Sequence, residues 1–224
     1  MNRIWNILRY VAAAGLCVHF VWFWWFNKES VGYFSETNNG ATQTSAGTTP
    51  ANLLLAVLGI ALFCVLMSVE VRVSDFTIPP LWQRFAAFVL DFYFSVFVTA
   101  NVVAIVVLLL EAQRTGTFEW RIQRDYSVIS DAAGFPLVFA SMGATILYFV
   151  LPLARRTQTV GCFLLRIATV SAGGSALRLP LSTAFWRTYK EFTGLCSPFR
   201  TIRERDSQGR TWYDRETGFT VVRY

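Results

Sequence analysis

Residues 85–110 read FAAFVLDFYFSVFVTANVVAIVVLLL, and Asp91 is the one charged residue in this stretch. About 20 apolar residues suffice for an α-helix to cross the hydrocarbon core of a bilayer, so the stretch predicts a transmembrane helix with room for tilt. The rest of the chain agrees, since 54% of its 224 residues are hydrophobic and only 15% are charged. Soluble domains average about 25% charged residues. These figures exclude an ordinary soluble globule.

Three more runs without Asp, Glu, Lys or Arg occur at residues 10–26, 51–69 and 135–154. The first is short, but it ends in three tryptophans, as expected where a helix meets the membrane interface. We therefore predict an all-α integral membrane protein with four transmembrane helices.

Two membrane domains are predicted from these runs. Residues 1–79 would form an N-terminal two-helix membrane hairpin, whose helices are joined by an exposed polar loop at residues 27–50. That loop is rich in Ser, Thr, Asn and Gly and has too few apolar side chains to offset the entropy of ordering them. Residues 80–224 would form a second domain, with spans at about 85–110 and 135–154.

The tail, residues 155–224, is too polar for another span but carries structural signals. Gly173 and Gly174 predict a turn. A helical repeat follows over residues 181–195, with Arg187, Lys190 and Glu191 away from its apolar positions. Those positions are Leu181, Phe185, Tyr189 and Phe192. The pattern is typical of an amphipathic helix lying at the membrane surface.

The distribution of Lys and Arg predicts the orientation. With the N-terminus inside, the inner segments hold sixteen of the twenty basic residues and the outer loops hold four. Because positive residues accumulate on the inner side, both termini should be cytoplasmic, or on the matrix side of a mitochondrial inner membrane. A bacterial plasma membrane is the first choice. The basic tail should meet anionic lipid headgroups rather than nucleic acid.

Asp91 is the principal candidate for a functional residue, because a carboxylate at the centre of a transmembrane helix costs about 2.5–3.5 kcal/mol on insertion scales. Arg84 lies on the same helix face, roughly 10 Å nearer the inner end. We predict that Arg84 is shared between Asp91 and Asp214 of the tail. Two interpretations remain open: a buried charge network that fixes helix packing, or a proton or ion site.

Helix contacts are predicted from small and polar residues within the spans. Ser95, Thr99 and Asn101 continue a polar stripe from Asp91, and Asn101 would hold helices together by hydrogen bonding. Ala140 and Ala144 have the small-xxx-small spacing that lets helix backbones approach closely.

No metal site, disulfide or cofactor site is predicted. Cys17, Cys64, Cys162 and Cys196 show no paired spacing, and the single histidine, His19, has no second ligand nearby in sequence. No nucleophile and base occur in a catalytic arrangement either. The sequence therefore predicts a protein that is not an enzyme.

Three motifs together resemble the RDD family of membrane proteins, which is named for one arginine and two aspartates. Residues 84–91, RFAAFVLD, are similar to the family's R-x-x-A-x-x-x-D at the head of a transmembrane helix. TQTVG at residues 157–161, with Gly161 and the later Gly173 and Gly174, is similar to its Q-T-x-G run and glycine turn. TWYDRETGFTVV at residues 211–222 is similar to its closing motif and makes Asp214 the second aspartate. Cys162 and Phe219 depart from the usual Lys and Thr.

Two functional hypotheses follow. The first is a non-catalytic scaffold or accessory subunit of a larger membrane complex, which contacts lipid and either other membrane subunits or a second copy of itself. The alternative is an ion or small-solute transporter, coupled to protons or sodium, that uses Asp91. Four spans with one intramembrane acid make a sparse transport pathway, so the first hypothesis is preferred.

Overall fold

The computed structural model describes residues 3–25, 32–38, 41–69, 77–124, 131–171 and 180–223. Over these ranges the chain forms eight helices and five strands. The helices are α1 (Arg3–Trp25), α2 (Pro50–Met67), α3 (Leu81–Thr115), α4 (Asp131–Arg155), α5 (Val160–Leu164), α6 (Leu181–Cys196), α7 (Pro198–Arg203) and α8 (Trp212–Thr217). The strands are β1 (Gly32–Asn38), β2 (Ala41–Gly47), β3 (Arg121–Arg124), β4 (Ile167–Ser171) and β5 (Phe219–Arg223).

Three helices of the described ranges are long and apolar enough to cross a membrane: Pro50–Met67, Leu81–Thr115 and Pro136–Arg155. They coincide with the second, third and fourth predicted spans. The predicted first span also forms a helix, α1, which is not among the candidate spans found within the described residues. The structure therefore supports three of the four predicted spans.

The central helix, α3, is longer at both ends than the apolar run that predicted it. It begins directly after Pro79 and Pro80, where the fixed φ of proline favours a helix start. It ends at Gly116, whose φ of 77° is the left-handed conformation common after a helix, and whose N–H donates to the carbonyl of Ala112. The additional turns include Arg84.

Residues 32–38 and 41–47 of the predicted exposed loop instead form strands, so the fold is mostly helical, as predicted, but not all-α. Strands β1 and β2 form an antiparallel hairpin, and β2 also pairs with β3, which lies some 80 residues later in the chain. Ala46 opposes Ile122 in this sheet, and both pack against Val107 and Leu108. Pairing with a distant strand and burial of a few apolar side chains order a segment whose composition alone indicated a loop.

The tail contains a second sheet, in which β4 and β5 pair antiparallel from Ile167 opposite Arg223 to Ser171 opposite Phe219. Ile167 and Val221 of this sheet pack on Ala87 of α3. Helix α6 forms over the residues for which an amphipathic helix was predicted. The predicted turn at Gly173 and Gly174 lies outside the described residues.

The chain contacts form two compact units. One consists of Met1–Gly15, Leu62–Tyr93 and Leu147–Tyr224, and the other of Leu16–Ala61 and Phe94–Ile146. Each unit draws on residues from both sides of position 80. The first unit contains Arg84, Asp91 and Asp214.

Candidate functional site

Asp91 is almost fully buried and accepts three hydrogen bonds. Its Oδ1 accepts from the Tyr148 hydroxyl at 2.5 Å and from the Gly161 N–H at 2.7 Å, while its Oδ2 accepts from the Thr159 hydroxyl at 2.6 Å. We call these four residues the Asp91 cluster. A buried carboxylate is tolerated when such bonds replace its hydration, so the cluster satisfies the acid without a counter-ion.

Local structure after α4 explains why these donors converge. Thr159 has an extended backbone and caps the short helix α5, with its side chain accepting from the Cys162 N–H at 3.4 Å. The Tyr148 hydroxyl, which donates to Asp91, accepts from the Val160 N–H at 3.0 Å. The Asp91 cluster therefore ties α3 to both α4 and α5.

Gly161 is required by close packing. A Cβ at this position would lie 2.2 Å from the carbonyl oxygen of Ala87 and 2.9 Å from Asp91 Cγ. Such distances are far below van der Waals contact, and the Ala87 atom belongs to the backbone of α3. Only glycine lets α5 approach α3 closely enough for the N–H to reach Asp91.

Arg84 lies in a second group, which we call the Arg84 cluster: Arg84, Arg187, Glu191 and Asp214. The Arg84 Nη1 is 2.6 Å from Asp214 Oδ2, and its Nη2 donates to the carbonyl of Val221 at 3.4 Å. Arg187 approaches Asp214 from the other side, with Nη2 3.0 Å from Oδ1. Asp214 therefore bridges two buried arginines.

The start of α8 holds Asp214 in place through a capping box. Thr211 Oγ1 accepts from the Asp214 N–H, and Asp214 Oδ2 accepts from the Thr211 N–H at 3.1 Å. The helix ends after two turns at Gly218, whose φ is 69°. One carboxylate thus caps α8 and pairs with two arginines, which fixes α8 to α3 and α6.

Arg187 has two further partners. Its Nη1 is 3.2 Å from Glu191 Oε2, and its guanidinium lies over the Tyr213 ring, 4.9 Å from the centroid. Burial alone would lower the pKa of Arg187, but Glu191 and Asp214 outweigh burial and raise that pKa. Burial, followed by Glu191, raises the pKa of Tyr213. Two cations and two anions make the Arg84 cluster formally neutral.

A cavity of about 60 Å³ lies beside both clusters, large enough for a few water molecules. Arg84, Asp91 and Glu191 contribute to its wall, together with hydroxyls of Thr159 and neighbouring threonines. Most of the remaining wall is apolar. Cys162 also borders the cavity, and burial, followed by the Asp91 carboxylate, raises the pKa of its thiol.

The structure brings together one predicted pair and separates the other. Arg84 and Asp214 form the predicted ion pair, across 130 positions of sequence. The prediction that Arg84 is also shared with Asp91 is wrong, because the hydrogen bonds of Asp91 to described residues all come from neutral donors. Asp91 lies about two turns deeper along α3, where hydroxyl and backbone donors are nearer than the guanidinium.

The predicted polar stripe does not extend the Asp91 cluster. The Thr99 hydroxyl donates back to the carbonyl of Ser95 at 2.7 Å, within its own helix. Asn101 is fully buried, accepts from the Thr48 hydroxyl and donates to the carbonyl of Phe97. Asn101 was predicted to join helices, whereas these bonds join α3 to Thr48, which lies between β2 and α2.

Ala140 and Ala144, predicted to pack against another helix, are both exposed in the described structure. Their small-xxx-small face is therefore not covered by the described residues of this chain.

Four residues of these clusters were given no role in the site by sequence reasoning: Tyr148, Thr159, Arg187 and Glu191. Tyr148 and Arg187 carried a signal, since each places a strong hydrogen-bonding group within a largely apolar stretch. Thr159 was quoted within a motif but was given no role. Within the described ranges, no group of three or more His, Cys, Asp or Glu side chains is placed to hold a metal ion.

Comparison with known protein families finds one match, to the RDD family, over residues 78–199. The matched region is just over half of the chain and includes Arg84, Asp91 and Gly161, whereas Asp214 lies beyond it. No curated protein and no solved structure matches the chain.

Proposed function

The chain belongs to the RDD family of membrane proteins, and from this premise we propose that it is a non-catalytic multi-pass protein that acts as a scaffold or accessory subunit of a larger membrane complex. Its partners would be the lipid bilayer and either other membrane subunits or a second copy of the chain. In this role the two buried clusters serve to hold the tail rigidly against the membrane helices.

The hydrogen bonding of Asp91 within the fold is the observation that carries this proposal. Its two oxygens already accept three hydrogen bonds, one from Tyr148 of α4 and two from Thr159 and Gly161 at the start of α5. A carboxylate that couples transport has to exchange partners as it binds and releases a proton or cation. Here each exchange would break bonds that join α3 to α4 and α5, which favours a structural role.

The transporter alternative has one specific observation in its favour. Asp91 and Glu191 border the same cavity, and Glu191 remains partly exposed. A few water molecules in this cavity would contact the carboxylates of both Asp91 and Glu191. Internal repeats, broken helices or a chain of ionisable groups would be more usual in a transport pathway.

The Asp91→Asn substitution separates the two functions. The amide oxygen can replace Oδ1, and the amide N–H₂ can face the Thr159 hydroxyl, which is able to rotate and accept. Loss of the charge should still cost about 1–3 kcal/mol of stability. We expect lower recovery of folded protein, and we expect wild-type protein in liposomes to show no proton- or sodium-coupled flux.

Glu119→Gln is the matched control, because Glu119 is exposed and its loss of charge should leave both readouts unchanged. Strong flux from the wild type would contradict the scaffold proposal if Asp91→Asn abolished it at unchanged expression and thermal stability.

The proposed orientation places the tail and both termini on the inner side. Single cysteines at Thr44 in β2 and at exposed Ser207 in the tail, each in a background without the native four, should react differently in intact cells. We expect an impermeant thiol reagent to label Thr44→Cys, and to label Ser207→Cys only after permeabilisation. The opposite pattern would invert the orientation.

A further inference from the structure

Helix α6 has the reverse of the amphipathic arrangement found in soluble proteins. Arg187, Ala184 and Gly194 are buried, and Arg187 has no solvent exposure at all. Trp186 and Tyr189 are instead 57% and 53% exposed. The apolar side of α6 therefore faces outward and its charged side faces the protein.

We call the outward side the α6 outer face. Its members are Leu181, Phe185, Trp186 and Tyr189, all exposed. A helix on a soluble protein buries its apolar stripe and solvates its polar one. A contiguous exposed patch of large apolar side chains marks an interaction site, because water penalises it.

All three charged side chains of α6 form ion pairs with residues outside the α6 outer face. Arg187 and Glu191 belong to the Arg84 cluster, and Lys190 pairs with Glu216 of α8 at 2.8 Å. The α6 outer face consequently presents no charged side chain. An uncharged face of this kind suits the boundary between lipid acyl chains and headgroups. It does not suit an acidic or basic protein partner.

The α6 outer face continues onto a membrane-crossing helix. The ring of Phe192 contacts Phe88 of α3, with centroids 4.9 Å apart, and lies 6.4 Å from that of Phe92. On the same part of α3, Phe85 and Val89 are exposed. Because α3 is long and apolar enough to cross a membrane, these exposed side chains face lipid. The apolar surface of α6 thus adjoins a lipid-facing surface.

The length of α3 sets the depth of this junction. A helix of 35 residues is ~52 Å long, whereas the hydrocarbon core is only ~30 Å thick. The ends of α3 must therefore extend into the interface. Phe88 lies two turns from the beginning of α3, which places α6 beside the edge of the hydrocarbon rather than at its centre.

The aromatic residues suit that depth. Trp186 packs edge-on against both Phe185 and Tyr189, with centroids 6.2 Å and 5.7 Å apart. Trp and Tyr rings favour the membrane interface, because their apolar body enters the acyl boundary while the polar N–H or O–H stays hydrated.

We propose that the α6 outer face is inserted in the interfacial region of the same bilayer that α3 crosses. The surface helix is held there by lipid on its apolar side and by the Arg84 cluster on its charged side. This inference is independent of whether the protein acts as a scaffold or as a transporter.

Quenching of a fluorescent label tests this placement. A bimane label is attached at Tyr189→Cys on the α6 outer face, with Ser207→Cys, exposed in the same tail, as the matched control. Both variants carry no other cysteine and are reconstituted in phosphatidylcholine vesicles. The quenchers are a lipid with a nitroxide high on its acyl chain and aqueous iodide. Leu181→Cys replaces Tyr189→Cys if the latter does not fold.

We expect the nitroxide lipid to quench the label at position 189 at least about threefold more than the label at 207, and iodide to show the reverse order. Equal iodide quenching at both positions would overturn the proposal, because the outer face would then be in water. Protection of position 189 from both quenchers would also overturn it, since in purified protein the cover would be a second copy of the chain.

Discussion

Arg84→Ala is expected to prevent the accumulation of folded protein. The substitution removes one of two cations that Asp214 neutralises, and both side chains of the Arg84–Asp214 pair are almost fully buried. Loss of one partner of a buried ion pair costs about 3–5 kcal/mol, and here Asp214 and Glu191 would be left to share the single cation of Arg187. That cost is comparable to the whole stability of many domains. The measurement is the yield of monodisperse protein after mild detergent extraction.

Two variants control this prediction. Arg203→Ala removes an arginine whose side chain is 83% exposed and should leave the yield unchanged. Arg84→Lys keeps the charge but cannot reproduce the contacts of a guanidinium with both Asp214 and the Val221 carbonyl, so an intermediate yield is expected. Normal yield and thermal stability of Arg84→Ala would show that the pair does not hold the tail in place.

The pairing of Arg84 with Asp214 could be predicted from sequence, whereas the environment of Asp91 could not. A buried arginine near the end of a span requires an acid, and the tail offered one within a recognisable motif. Asp91 could be satisfied equally well by a cation, water or neutral donors. The choice depends on which hydroxyls and N–H groups the tertiary fold brings near, and hydropathy carries no information on that point.

Helix α6 shows a similar limit. Periodicity correctly assigned Phe185 and Tyr189 to one side and Arg187 to another. It could not determine which side faces the protein, because the outer medium near a bilayer is itself apolar. In the structure, buried Arg187 pairs with Asp214 of α8, which turns the charged side of α6 toward the protein.

The strands were missed for a different reason. Residues of β1 and β2 are mostly Gly, Ser, Thr and Asn, which favour loops when judged locally. Their order comes from pairing with β3 and from burial of Ala46 against Ile122. Contacts between segments so far apart in sequence leave almost no trace in local composition.

Gly161→Ala is expected to be as disruptive as loss of Arg84, although it adds only one methyl group. The new Cβ would lie 2.2 Å from the carbonyl oxygen of Ala87, so α5 would have to move away from α3. The movement would stretch the bond from the residue 161 N–H to Asp91, which is worth about 1.5–3 kcal/mol as a hydrogen bond to a charged group. Overpacking adds about 1–3 kcal/mol. Thermal unfolding in detergent should show a large loss of stability.

Gly143→Ala is the matched control, because a Cβ at Gly143 meets nothing within 4 Å and the residue lies inside helix α4. Alanine is the better helix former by about 1 kcal/mol, so this variant should be neutral or slightly more stable. Combining Gly161→Ala with Asp91→Asn should cost less than the sum of the two, because both weaken the same bond. Strict additivity, or a Gly161→Ala protein as stable as the Gly143→Ala protein, would mean that α5 does not depend on Asp91 for its position against α3.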